Sequence, residues 1–125
     1  MKILVAEDDI DIRELIVFTL RYGGFEVQEV SNGLDAVSKA PEMAPDLILM
    51  DVRMPKMNGY EACEKLKALP KTRHIPIVFL SGKGQESEIS KGLQLGAEAY
   101  IIKPFAPDEL IQQVKEIMAN FKTRN

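Results

Sequence analysis

Three four-residue runs, Ile3-Leu4-Val5-Ala6, Leu47-Ile48-Leu49-Met50 and Ile77-Val78-Phe79-Leu80, contain no polar side chain. A strand with one wet face alternates apolar and polar residues, whereas a strand covered on both faces reads as a nearly continuous apolar run. Three such strands in one chain demand a sheet with helices packed on either side. The remaining sequence fits that demand, because apolar runs alternate with amphipathic segments from end to end, the signature of an α/β fold. Strands are expected at Lys2–Ala6, Glu26–Val30, Leu47–Asp51, Ile77–Ser81 and Ala99–Ile102, with the three apolar runs central. Helices are expected at about Ile10–Tyr22, Gly33–Ala40, Gly59–Leu69, Glu86–Leu95 and Pro107–Phe121.

Helix ends carry their own signals. Gly23-Gly24 and Gly96 stand where a left-handed C-cap is wanted, and Pro107 followed by Asp108-Glu109 suits a first helical turn at the positive end of the helix dipole. Asn58 with Glu61 three residues on forms a capping-box pattern. Ala106 is a poor N-cap, so the last helix is expected to start without a side-chain cap.

A chain of 125 residues supports one domain, placed at residues 1–121, with 122–125 read as a fraying tail. A net charge of -3 provides no electrostatic footprint for direct binding to nucleic acid or an anionic membrane. No apolar stretch approaches the roughly 20 residues of a membrane span, and no signal-peptide core precedes the first strand, so a cytoplasmic protein is expected. Cys63 has no disulfide or metal-site partner and reads as a packed thiol.

Parallel strands joined by right-handed crossovers bind ligands outside their carboxyl ends. Those ends present Glu7, Asp8 and Asp9 after the first strand, Asp51 closing the third, Ser81 closing the fourth and Lys103 after the fifth. Converging carboxylates repel one another, and a divalent cation relieves that repulsion. Oxygen-only ligands favour Mg2+ or Mn2+ over zinc, and Mg2+ is commonly completed by waters and phosphate oxygens. Lys103 offers a cation and Ser81 a hydroxyl to phosphoryl oxygens, while Asp51 can act as nucleophile to form an acyl phosphate. Singly, each residue has a plainer role: Asp9 or Asp11 as a helix N-cap, Asp51 and Ser81-Gly82 as turn formers, Lys103 as a solvated cation. Their joint placement on one sheet edge favours the functional role.

The runs Ile3-Leu4-Val5-Ala6-Glu7-Asp8-Asp9, Leu49-Met50-Asp51-Val52-Arg53-Met54-Pro55-Lys56-Met57-Asn58-Gly59, Ile75-Pro76-Ile77-Val78-Phe79-Leu80-Ser81-Gly82 and Gly96-Ala97-Glu98-Ala99-Tyr100-Ile101-Ile102-Lys103-Pro104-Phe105 together resemble the response-regulator receiver family of two-component signal transduction, the chemotaxis receiver included. Separations of 30 residues from Asp51 to Ser81 (81 minus 51) and 52 to Lys103 (103 minus 51) accompany the acidic cluster and the Met-Pro-x-Met-Asn-Gly loop. The resemblance implies a flavodoxin-like three-layer sandwich, with a five-stranded parallel sheet of order 2-1-3-4-5 and five helices. It implies a signalling switch rather than an enzyme, in which Asp51 accepts a phosphoryl group from a phosphohistidine donor. The metal would be held by Glu7, Asp8, Asp51 and the backbone carbonyl of Arg53. Ser81 and Lys103 would contact the phosphoryl group, and the Lys103-Pro104 bond would be cis. Asp9 is expected to cap. By residue type Tyr100 is an ordinary strand aromatic with its hydroxyl at the solvent edge. The resemblance instead makes it a switch residue, rotating into space vacated by Ser81 and altering the surface of the fourth helix, fifth strand and fifth helix.

Arg53 and Lys83, each two residues past a site residue, are expected to flank the phosphoryl group as modulators that slow dephosphorylation. Receivers attached to winged-helix DNA-binding domains carry an acidic pair after Gly-Ala and an arginine on the last helix. Glu98-Ala99 and Gln112-Gln113 stand at those places here, which argues against a dimer cross-paired in that way. A monomer or a weak phosphorylation-dependent dimer is expected. His74 reads as a loop residue, and Ile111, Val114 and Met118 as core contacts. A phosphatase resembling haloacid dehalogenases would need a second Asp where Arg53 stands, and a flavodoxin-like redox carrier would need a phosphate-binding loop where Glu7-Asp8-Asp9 stand. A degenerate receiver acting only as a binding module would lack the acids, Asp51, Ser81 or Lys103. Expected partners are a sensor histidine kinase or histidine phosphotransfer protein and an output domain or target that the sequence does not identify.

Overall fold

A computed structural model describes residues 1–82, 86–103 and 105–124. Five strands, β1 (Lys2–Ala6), β2 (Glu26–Val30), β3 (Leu47–Asp51), β4 (Ile77–Ser81) and β5 (Ala99–Ile102), form one parallel sheet of order β2-β1-β3-β4-β5. The helices are α1 (Ile10–Tyr22), α2 (Gly33–Met43), α3 (Gly59–Ala68), α4 (Glu86–Gln94) and α5 (Pro107–Arg124). The expected strand bounds and strand order are those observed. The three apolar runs are β1, β3 and β4, the interior strands.

Within each run the pleat sends alternate side chains to opposite layers. Ile3, Val5, Leu47, Leu49, Val78 and Leu80 pack with Ile16, Val17 and Leu20 of α1 and Leu110, Val114 and Met118 of α5. Leu4, Ala6, Ile48, Met50, Ile77 and Phe79 pack on the other side with Ala36 and Ala40 of α2 and Ala62, Cys63 and Leu66 of α3. Edge strand β2 buries Val27 and exposes Glu26, Gln28 and Glu29, which blunts an open sheet edge with charge.

Helix ends differ from the sequence reading by one residue at α3 and α4, and by three residues at α2 and α5. α2 passes through Pro41 and ends three residues later than expected, at Met43. Proline removes one backbone donor, a loss most easily borne in a terminal turn, and Ala44 then closes the helix in the left-handed region at φ 50°, with its N–H bonded to the Ala40 carbonyl. Of the pair Gly23-Gly24 after α1, Gly24 takes the expected left-handed conformation, at φ 96°, while Gly23 stays right-handed. α5 continues through Arg124, so residues 122–124 of the expected tail 122–125 are helical; Phe121 is half-buried, one turn beyond Met118 and Ile117. Gly96 is left-handed as expected, at φ 103°. Cys63 is fully buried with its Sγ directed at the Leu95 carbonyl, and burial pushes its thiol up to about 11, making it inert. Among the described residues no helix is long and apolar enough to cross a membrane.

Candidate functional site

Because all five strands run the same way, the residues that end or follow them gather along one edge. Register continues past the strands: Glu7 N–H donates to the Val30 carbonyl (3.1 Å), Val52 N–H to Leu80 (3.3 Å) and Lys103 N–H to Ser81 (2.8 Å). Glu7, Asp51 and Ser81 are thereby fixed as buried polar residues, whereas Asp8 is exposed.

Glu7, Asp8 and Asp51 each contribute a carboxylate oxygen to a group lying within 4.8 Å of one another. The Lys103 ammonium lies 3.2 Å from Glu7 Oε1 and 3.3 Å from Asp51 Oδ2, donating to both. One cation shared by two buried acids leaves negative charge in excess, and the protein answers by holding a proton. Glu7 is pushed up from 4.5 to about 7, chiefly by burial, next by the charge of Asp51 and a hydrogen bond to it, against opposing help from the Asp9 N–H and Lys103. Burial works to lower the Lys103 ammonium, but Asp51 and Glu7 outweigh it and hold it above its ordinary value. Three oxygen donors with unbalanced charge are the donor set of a hard divalent cation, so these residues fit Mg2+ or Mn2+.

The surrounding loops are locked by local chemistry. Asp9 caps α1 by accepting from Asp11 and Ile12 N–H (3.0 and 3.1 Å), as expected, and its own N–H donates to Glu7 Oε2 (3.2 Å). Asn58 and Glu61 complete the expected capping box of α3. Between β3 and α3 the chain turns through Lys56 at φ 66°, with Met57 N–H donating to the Pro55 carbonyl (2.7 Å). That loop is clasped by two glycines: a β-carbon at Gly59 would collide with the Asp51 carbonyl oxygen, and one at Gly33 with that of Met57. In the sequence Gly33 reads as a helix start, and Gly59 as a helix start that also closes the Met-Pro-x-Met-Asn-Gly loop.

Arg13 was also missed. Its Nη1 donates to the Glu7 carbonyl (2.9 Å) and its Nε to Glu29 (3.0 Å), tying the acidic turn to α1 and β2. Its place one turn after the Asp9 cap was the available signal.

The Arg53 side chain is exposed. Lys83 and Pro104 lie outside the described residues, and with them the modulating role of Lys83 and the expected cis bond. His74 is exposed before β4, away from the carboxyl edge. Tyr100 departs from its plain expectation: its hydroxyl lies 2.9 Å from that of Tyr60 on α3, in a half-buried position rather than at the solvent edge.

The family model of the response regulator receiver domain matches residues 3–115. The chain belongs to the response-regulator receiver family. This receiver is 41% identical over 117 residues to the phosphate regulon transcriptional regulatory protein PhoB of Escherichia coli, an alignment covering 94% of this chain and 51% of PhoB. The chain thus spans about half the length of the curated relatives it matches. Among solved structures it resembles the chemotaxis response regulator CheY4 of Vibrio cholerae (TM-score 0.88, 30% identity, 93% and 97% of the two chains covered). It also resembles the receiver domain of a Pseudomonas aeruginosa sensor histidine kinase with a magnesium ion in its active-site cleft (TM-score 0.87, 32% identity, 94% and 97% covered). Receivers of this family are signalling modules of two-component systems, and the doubly wound fold expected from the sequence is the one found.

Proposed function

We propose that this receiver accepts a phosphoryl group on Asp51 from a phosphohistidine of a sensor kinase or phosphotransfer protein, and relays it by changing the α4–β5–α5 surface. The observation that carries this reading is the placement of Asp51 at the end of β3, between the acids Glu7 and Asp8 and the ammonium of Lys103. An Asp51 carboxylate oxygen attacks phosphorus, the P–N bond to the donor imidazole breaks, and the leaving nitrogen keeps the electron pair. Such transfer needs positioning and charge neutralisation more than covalent help. Bound Mg2+, held by Glu7, Asp8, Asp51 and the Arg53 backbone carbonyl, would neutralise charge developing on the phosphoryl oxygens. Lys103 and Ser81 bind those oxygens, and Tyr100 responds to the displacement of Ser81. The functional unit is residues 1–121, with 122–124 extending α5 beyond it.

The side chain at position 53 favours a switch over a phosphatase, since Arg53 cannot do the acid/base work of a second Asp. With Lys83 it shields the acyl phosphate from water, so an Arg53→Ala, Lys83→Ala double variant should lose its phosphoryl group faster; an unchanged decay rate would remove that role. Intact mass after incubation with acetyl phosphate and Mg2+ should show one added phosphoryl group, absent from Asp51→Ala. Modification persisting in that variant would refute Asp51 as acceptor.

A further inference from the structure

On the side of the sheet facing α3 and α4, three aromatic rings meet behind the phosphoacceptor strand. Tyr60, in the first turn of α3, stands edge-on to Phe79 of β4 (centroids 5.4 Å, planes at 73°), and Phe79 lies 5.5 Å from Tyr100 of β5 at 50°. The two tyrosines straddle Phe79, and their hydroxyls are 2.9 Å apart, one donating to the other. Lys91 Nζ of α4 lies 4.9 Å from the Tyr60 ring centroid, a cation over an aromatic face. The wall opposite Tyr100 is Gly92, also on α4. A β-carbon there would fall 2.6 Å from Tyr100 Cε2 and 2.9 Å from Phe79 Cδ2. Glycine inside a helix is unfavourable relative to alanine, and here the ring of Tyr100 supplies the reason for it.

We infer that Tyr60 is a positioning residue whose hydroxyl holds Tyr100 in the inward position, and that Gly92 provides the gap that admits the ring. The consequence for signalling rests on the phosphoacceptor reading above, in which displacement of Ser81 and inward Tyr100 belong to the same state. A group that stabilises one conformation strengthens whatever selects that conformation, by up to the same factor. The Tyr60 hydroxyl therefore biases the receiver toward the state that a phosphoryl group selects, before any phosphoryl group arrives. One net hydrogen bond corresponds to a bias of about two- to tenfold.

The test compares wild type, Tyr60→Phe, Tyr100→Phe and the double variant by aromatic NMR and by titration with beryllofluoride plus Mg2+, a phosphoryl mimic. Phenylalanine at position 60 keeps the ring against Phe79 and removes only the hydroxyl, so folding is preserved. Without the mimic, Tyr60→Phe should weaken the ring contact between Tyr100 and Phe79. Apparent affinity for the mimic should fall about two- to tenfold, and the loss in the double variant should be smaller than the sum of the two single losses, since the bond between the two hydroxyls is removed in every variant. Gly92→Ala should displace the Tyr100 ring further than Tyr60→Phe. An unchanged Tyr100 environment in Tyr60→Phe, or additive losses in the double variant, would overturn the inference. Failure of the wild type to bind the mimic would instead overturn the phosphoacceptor reading, and the ring contacts measured without it would still judge the latch.

Discussion

The acid pocket and the aromatic cluster lie at the same end of the sheet, yet they are built from opposite physics. Glu7, Asp51 and Lys103 are charges brought together at 3.2 and 3.3 Å, and they are balanced only by a held proton or by an added cation. Tyr60, Phe79, Tyr100 and Gly92 are uncharged and fit by shape, with the Tyr60 and Tyr100 hydroxyls 2.9 Å apart. The pocket is therefore sensitive to pH, metal and salt, while the cluster responds to changes of a single methyl or hydroxyl group. A signal passing from one to the other converts an electrostatic event into a packing event, and β4, which carries both Phe79 and Ser81, is the strand they share.

The largest effects should follow from disturbing the charge balance. Glu7 is raised to about 7 in the folded chain from 4.5, so between those values the folded state holds a proton that the unfolded chain has released. Metal-free stability should fall as pH rises through that window, with the cost fully present above pH 7. Added Mg2+ competes for the same oxygens and should raise the melting temperature much more at pH 8 than at pH 5. In the metal-free protein at pH 8, Glu7→Gln should be more stable than wild type by on the order of 1–3 kcal/mol and show a flattened pH dependence. Lys103→Met should shift stability the opposite way. Thermal melts with and without Mg2+ across pH 5–8 check all of this; an equal Mg2+ shift at both ends would mean that the pocket is not the metal site. The aromatic cluster should be indifferent to these conditions, and its own effect, the two- to tenfold change argued for Tyr60, is smaller.

The same contrast explains what could be read in the sequence. Strands β1, β3 and β4 announce themselves as unbroken apolar runs, and in a parallel sheet their last residues must share an edge. Glu7, Asp8, Asp51, Ser81 and Lys103 were accordingly legible from residue type and strand position alone. Tyr60, Gly92 and Arg13 were not, because each reaches the site from a helix, and the helix face that meets a given strand is decided by packing that no local pattern records. Helix C-termini escaped for a related reason. Pro41 marks a weak point in α2, but the stop lies at Ala44, where the backbone turns left-handed without the glycine that usually signals it. The polar composition of 122–124 hides the fact that the apolar stripe of α5 has already reached Phe121.

Ala44 offers the smallest effect and the sharpest control. It holds φ 50° and ψ 59° with a β-carbon, a conformation in which glycine avoids a steric cost. Part of the gain from Ala44→Gly is returned as extra entropy in the unfolded chain, so a net stabilisation of about 0.5–1 kcal/mol is expected. The position lies after α2, at the end of the helix opposite the turn that packs against the Met57 loop, and the capping N–H bond to Ala40 is kept. Denaturant melts should show the gain, while Mg2+ affinity, the rate of modification by acetyl phosphate and the Tyr100 ring environment stay at wild-type values. If a change this remote altered either region, global stability rather than local charge or local fit would be setting their behaviour, and the division between an electrostatic pocket and a shape-fitted latch would fail.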